Sequence, residues 1–546
     1  MKALSVRFGG KTIDIEPTMV DRVVNYFNPV AGRNRLQARL QMAMVGGYTG
    51  ARRDRKQTQN WATTQTDADS VIIPDLPTLR DRARDLERNA PLACGAIATK
   101  TTCVVGTGLK PRAAIDRDVL TGLDDEQADA WERAAMREFQ LATADDNWDV
   151  ENHHNFLASQ DLVFRSVLSS GDILVNLPRI KRPGNPYSLR ANFIEADRVC
   201  NENFAGDSAS LVAGVEKDAN GAPLAYHVAR FHPGNRLASK REWSKLKAFD
   251  SQGRPLCLHI YRKRRPGQTR GVPDLAPVVE MLKSFADYTD SELHAAVVSS
   301  LFTVFVKSRN PEDIFVDQAT KDQRIDTGDM KLGSGSVIGL YPDEDITLAN
   351  PNRPNTGAGV FLEAMAEQIG VALELPKELL VKHFTASYSA AQAALLEAWR
   401  FFLTARAWLA QKYCQPIWDA VITDAIAMGR LPAPGFFSDP IIRRAYLGCE
   451  WAGDAKGHIK ETEAVTAASA RVEGGFSTLA EETTKLTGGD WERNHRQQVK
   501  EKKARDRDGL TPVAPAAPAV SVEPPVEADP DDTTDLEDET KGGSPP

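Results

Sequence analysis

The sequence has little cysteine. There are six in 546 residues, at 94, 103, 200, 257, 414 and 449. None forms a C-x-x-C pair, and the nearest two lie nine positions apart. That spacing excludes a zinc ribbon, and six reduced thiols of a cytosolic chain are expected rather than a disulfide framework. Long apolar runs are also missing. A membrane helix needs ~18 to 20 apolar residues in succession. The most apolar stretch, 295–306, is broken by Ser299, Ser300 and Thr303. The opening MKALSVRFGGKTID has no apolar core of the secretory kind. Neither a membrane protein nor a secreted one is expected. The third absence is a basic excess. The chain carries a net −8, and residues 521–546 alone hold nine carboxylates against Lys541. The first 520 residues therefore sum to zero. A protein that grips nucleic acid by neutralising phosphates carries a clear positive excess. Contacts with nucleic acid are expected to be local and transient.

What is present is ordinary for a globular chain: 42% hydrophobic and 26% charged residues. The length predicts two to four structural units. Residues 1–60 read as a basic extended arm, with Arg22, Arg33, Arg35, Arg39, Arg52, Arg53, Arg55 and Lys56 against Asp21 and Asp54. One short helix is expected there, from Arg35 to Val45. Apolar residues at helical spacing predict helices over 77–105, 125–142 and 155–169. From Asp172 the pattern changes. Strands are expected at 173–177, 212–216, 226–230 and 256–262, with Asp218-Ala219-Asn220-Gly221 as a hairpin turn. A helix follows from Asp274 to Phe302. A compact segment over 303–355 has β-like runs at 303–306 and 336–340 and a charged middle. Helix returns at 361–380 and again from Tyr388 to Met428, where Pro416 should kink or split it. Two more helices are expected, at 459–473 and 478–486. Beyond Leu510 stand eight prolines and the acidic run, a composition expected to be disordered.

Motifs for catalysis do not survive inspection. Gly9-Gly10-Lys11-Thr12 imitates the end of a phosphate-binding loop, but Ser5 stands where the first glycine belongs. Gly106-Thr107-Gly108 begins like a dinucleotide fingerprint, but Pro111 replaces the third glycine. His153-His154 has no further ligand at metal spacing and reads as a polar helix start. H-E-x-x-H and G-x-S-x-G do not occur. No catalytic, cofactor or metal residue is predicted.

The order of segments carries more. Leu79-Arg80-Asp81-Arg82-Ala83-Arg84-Asp85-Leu86-Glu87-Arg88-Asn89 precedes Val105-Gly106-Thr107-Gly108-Leu109. Gly214-Val215-Glu216 stands with Asp218, Gly221 and Tyr226. Arg265-Pro266-Gly267-Gln268-Thr269-Arg270-Gly271-Val272-Pro273 leads into the long helix, and Ala386-Ser387-Tyr388-Ser389 precedes Leu395-Leu396-Glu397-Ala398-Trp399-Arg400. Over roughly 45–500 the chain resembles the lambda-type portal proteins of tailed phages. One departure is His458-Ile459-Lys460-Glu461, where the family usually has Asp-Pro before Lys-Glu.

The resemblance implies an α+β, portal-type fold: a mixed α/β wing, paired stem helices, a small α/β clip and a helical C-terminal wing and crown. On this chain it implies the arm at 1–60, wing at 61–273, first stem helix at 274–302 and clip at 303–355. The second stem helix would be 356–380, the tunnel loop 381–390, the long helix with wing and crown 391–510, and the tail 511–546. It further implies a homo-oligomeric ring, usually dodecameric, at one capsid vertex of the virion. Assembly would occur in the host cytoplasm. Double-stranded DNA would pass through it non-specifically, and the terminase large subunit, head-completion or adaptor proteins and the major capsid protein or scaffold would dock on it. No cofactor, ATPase or membrane is implied. Lys382, His383, Thr385, Ser387 and Tyr388 are the candidates for the channel. Arg309, Glu312, Asp313, Lys321, Asp322, Arg324 and Lys331 are the candidate docking face. The competing classes are a nuclease or packaging enzyme with an unrecognised site, and an adhesion or baseplate protein; the helical C-terminal half argues against the latter.

Overall fold

A computed structural model of the chain describes residues 4–8, 11–15, 18–35, 56–58, 60–63, 65–236, 241–300, 304–308, 344–348, 357–384, 388–457 and 461–510. It divides into two compact units: 1–97 with 165–178 and 191–373, and 98–164 with 179–190 and 374–546.

The first unit is built on two antiparallel sheets. Asp172–Asn176 is the central strand of one, flanked by Asn192–Glu195 and Cys257–Tyr261. Its Ile-Leu-Val run is buried on both faces, which is why it does not alternate. The other sheet runs Leu211–Val212, Val215–Lys217, Pro223–Ala229, Trp243–Lys247. Leu174, Ile194 and Cys257 of the first sheet share a buried core with Val215, Tyr226 and Val228 of the second. The expected hairpin turn is present. Asp218 accepts from the amides of Asn220 (2.9 Å) and Ala222 (2.7 Å), and Gly221 takes φ +84°. The unit also holds the helices Ala68–Ile72, Leu76–Asn89, Val279–Ser300 and Ala358–Ala372 and the antiparallel pair Val304–Ser308 with Glu344–Leu348.

The second unit has an aromatic core. Phe139 of the helix Asp125–Thr143 meets Trp418 of the helix Gln415–Ala427 at 5.1 Å between ring centroids. Phe156 stacks on Tyr413 at 5.7 Å. Lys110–Ala113 pairs antiparallel with Cys449–Ala452.

Three expected helices are interrupted, each next to a proline. The 77–105 segment breaks at Ala90, whose extended backbone precedes Pro91. The 361–380 segment ends as helix at Ala372. Glu374 turns to φ +56°, and a short helix Lys377–Val381 follows Pro376. The 388–428 segment is Tyr388–Leu409, a π-turn Ala410–Cys414, then Gln415–Ala427. The π-turn absorbs the clash that Pro416 would make with the preceding turn. The basic arm is not wholly extended: Leu4–Phe8 and Lys11–Ile15 form a hairpin, and Met19–Phe27 is a helix. The helix expected over 35–45 and the β-like run at 336–340 lie outside the described residues beyond Arg35. A final helix, Trp491–Arg507, was not expected. Among the described residues no helix is long and apolar enough to cross a membrane.

Candidate functional site

The most constrained chemistry of the first unit centres on Asp172, at the start of the central strand. Its carboxylate accepts from Arg80 (2.8 Å), from Arg270 (2.6 and 3.1 Å) and from the Gly271 amide (3.1 Å), and it meets His259 at 3.2 Å. All of these groups are buried. Burial alone would raise this carboxyl. The charges of Arg270 and Arg80, with the hydrogen bonds from His259 and Arg270, instead hold it well below the usual carboxylate range. Burial lowers Arg80 to about 10 against the attraction of Asp172. Burial also lowers His259, with Asp172 opposing it.

Arg80 and Arg270 come from two of the stretches that carry the resemblance, and Asp172 joins them. Arg270 also donates to the carbonyls of Ala196 (2.6 Å), Val199 (2.6 Å) and Ala213 (2.8 Å). The loop around it is closed on all sides. Gln268 ties the amides of Arg264 (2.8 Å) and Arg265 (3.2 Å) to the Arg270 carbonyl (2.8 Å). Gly271 presses its backbone on Gly171, so that a Cβ there would lie 2.0 Å from the Gly171 carbonyl. The Asp274 amide then donates to Leu168 (2.9 Å). A rigid, buried root thus launches the helix Val279–Ser300.

Burial falls along that helix. Val279 and Leu282 are 7% and 1% exposed, whereas Leu293 and Val297 are 63% and 51% exposed. The helix Ala358–Ala372 packs on it through Tyr288 and Phe361, 5.3 Å apart. This second helix buries Ala366 and Ile369 but leaves Val360 71% and Phe361 51% exposed. The pair carries uncovered apolar side chains away from its root.

In the second unit, Gly106-Thr107-Gly108 is a seat for Asp454, not a nucleotide loop. The Thr107 amide and hydroxyl donate to Asp454 at 2.7 and 2.6 Å. Gly106 has φ +57°, and a Cβ there would lie 2.2 Å from that carboxylate. Arg406, on the helix Tyr388–Leu409, donates to the carbonyls of Cys103 (2.8 Å), Val104 (2.9 Å) and Asp454 (2.7 Å). It satisfies the last carbonyls of the helix Pro91–Val104. Lys11 and Thr12 sit in a β-strand, which removes the other phosphate-loop imitation. The amides of His153 and His154 donate to buried Asp149 at 3.1 and 2.9 Å just before the helix Phe156–Ser170, which Asn155 caps.

Of the predicted channel residues, Lys382 and His383 are exposed at the end of Lys377–Val381, where Lys382 is a left-handed cap (φ +55°). Tyr388 opens the next helix, and its side chain lies outside the described residues, as do Thr385 and Ser387. The predicted docking face, Arg309, Glu312, Asp313, Lys321, Asp322, Arg324 and Lys331, also lies outside them, as do His458 and Lys460. One group of metal-ligand type occurs among the described residues: Glu195, Asp197 and His232. Arg84 already pairs with both carboxylates, Glu195 at 3.2 Å. A guanidinium occupies the place a cation would take, so the group does not fit a metal centre. Sequence reading missed the Asp172 node, the Asp454 seat and the last helix. The alternating charges of Trp491–Arg507 were the one legible signal among these.

Comparison with known proteins gives the class first: this is a portal protein of a tailed phage. A family model described as phage portal protein, lambda family, matches residues 54–406, and the chain belongs to that family. Portal protein B of Escherichia phage lambda is 26% identical over 490 residues, covering 85% of this chain and 90% of that protein. The portal protein of Escherichia phage N15 is 25% identical over 500 residues, covering 87% and 92%. Among solved structures, a chain from the virion of a native gene transfer agent particle covers 76% of this chain and 93% of its own at 11% identity, with a TM-score of 0.43. A chain from the neck of the native particle, computed with C12 symmetry, gives 12% identity, the same coverage and a TM-score of 0.43.

Proposed function

We propose that copies of this chain close into a ring of about twelve subunits at one capsid vertex, with double-stranded DNA crossing the axial channel. The observation that carries this is the helix pair. Leu293, Val297, Val360 and Phe361 are exposed in the single chain, on helices whose root is fixed in a buried core. Neighbouring copies in a ring would cover them.

On this reading Val279–Ser300 and Ala358–Ala372 are the stem helices and 303–355 is the clip. The clip's charged middle, Arg309 to Lys331, offers a polar, reversible face to the terminase large subunit and then to adaptor proteins. The arm at 1–60 touches capsid protein, scaffold or a neighbouring subunit. Lys382 and His383 stand at the tunnel loop, with Thr385, Ser387 and Tyr388 beside them. A channel must hold DNA without trapping it. Every phosphate neutralised releases counterions and deepens binding, and ring symmetry multiplies each basic position. A body of zero net charge with sparse basic rings meets that requirement. The role is structural, in the virion, after assembly in the host cytoplasm.

Native mass measurement with electron-microscope images of the same fraction tests the reading. A closed ring with an axial hole is expected. A chain that stays monomeric at high concentration and cuts DNA when metal is added would replace it with the enzyme reading.

A further inference from the structure

The last helix, Trp491–Arg507, buries none of its residues. Its cations are not scattered. Arg493, Arg496, Lys500, Lys503 and Arg507 follow one another at alternating steps of three and four. At ~100° per residue, that spacing keeps all five within about a quarter of the helix circumference. All five are exposed. The row is roughly 21 Å long at ~1.5 Å per residue. Lys502 and Arg505 add two cations, and Glu492, Glu501 and Asp506 subtract three charges, so the helix carries a net +4. Glu492 pairs with Arg496 at 3.8 Å and lies at the edge of the row; Asp508 just beyond pairs with Arg507 at 2.9 Å.

The same chain supplies the complement. Glu523 to Glu539 contains nine carboxylates and no cation, and between Arg507 and Glu523 the only charge is Asp508. That connection of fifteen residues, rich in proline, reaches on the order of 50 Å from Arg507 to Glu523 at ~3.1 Å per residue. It is more than twice the length of the row, so the acidic segment can lie along its own helix without a second copy.

We propose that the acidic segment 523–539 docks on the Arg493–Arg496–Lys500–Lys503–Arg507 row of its own chain and keeps nucleic acid off it. The row would otherwise be an unguarded site for phosphates, a local excess of +4 in a body of 520 residues that sums to zero only with this helix included. Docking is electrostatic, so it weakens with salt. It does not rest on ring formation.

The test uses the full chain. Carbodiimide coupling, which joins carboxylates to amines at zero length, is expected to link 523–539 to Lys500 or Lys503 at low salt. The links should fade at 0.5 M salt. Converting the nine carboxylates to amides is expected to raise affinity for a short DNA duplex by about tenfold at low salt. The same conversion should change little in a chain already carrying R493Q, R496Q, K500Q, K503Q and R507Q. Absence of those links, or an unchanged affinity, overturns the proposal. So does an equal gain in the chain lacking the row, because repulsion between the tail and DNA would then suffice.

Discussion

Two aspartates with restricted access to water, one in each unit, meet opposite fates. Asp172 is buried among Arg80, Arg270, His259 and the Gly271 amide, and its carboxyl is held well below the ordinary range. Asp419, on the helix Gln415–Ala427, has a hydrogen bond from Gln415 at 2.9 Å and the more distant charge of Arg443. Burial raises it to about 6 against both. Desolvation acts on each group in the same direction. The difference is whether guanidinium groups touch the carboxylate. Where they do, the buried ion is the stable form; where they do not, the proton is favoured.

Breaking the better-paired site should have the largest effect. Asp172→Ala leaves Arg270 and Arg80 buried without their counter-charge and is expected to cost about 3–5 kcal/mol. Denaturant unfolding followed in the first unit measures this. A loss below 1 kcal/mol would mean that the site is open to water.

The next effect is the pH dependence, and the two sites give opposite signs. Asp172 has a folded pKa below its unfolded value. Its contribution is therefore full above about pH 4 and falls away as pH drops through the folded value. His259, also lowered, adds an earlier loss as pH falls below about 6.5. Asp419 has a folded pKa above its unfolded value. It costs nothing below about pH 4, and its penalty grows as pH rises through about 6. Asp419→Asn should therefore stabilise the second unit at pH 7, on the order of 3 kcal/mol at most. It should change little at pH 4. Thermal unfolding of both proteins across pH 4–8 checks this, and an equal gain at both ends would remove titration as the cause.

A smaller change sharpens the contrast. Gln415→Leu removes the donor to Asp419 and to the Leu447 carbonyl, and leaves Trp451 without its partner at 2.9 Å. It should push the Asp419 carboxyl further up and cost about 1–2 kcal/mol. A carboxyl titration by NMR that stays at about 6 would show that this bond does not matter. The smallest effect on stability is expected at the exposed apolar positions. Leu293→Asp and Val297→Asp should leave the isolated chain within about 0.5 kcal/mol. They should nevertheless abolish assembly into rings, as seen by native mass. Rings that form normally would locate the subunit contacts elsewhere.

Composition and local pattern were sufficient for much of this. The helices over 125–143 and 156–170, the β region from 172 to 261 and the Asp218–Gly221 turn follow from spacing and turn chemistry, which act between near neighbours. The family was legible in the order of segments. Of the three interrupted helices only the one at Pro416 was expected to break. The breaks beside Pro91 and Pro376 were not, and the form of each was not legible, because a kink, an extended residue and a π-turn differ only in how the packing around them closes.

Tertiary structure decided which charges matter. Arg80, Asp172 and Arg270 are 92 and 98 positions apart from strand to partner, and nothing local sets them apart from the many other arginines and aspartates. Thr107 and Asp454 are separated by 347 positions, and their meeting explains Gly106, while Gly108 makes room for Leu157; only the fold shows why two glycines imitate a cofactor motif. Sequence fixed the supply of charges and apolar faces. Folding fixed which of them lose water together, and it is desolvation that turns an ordinary carboxylate into a keystone or a liability.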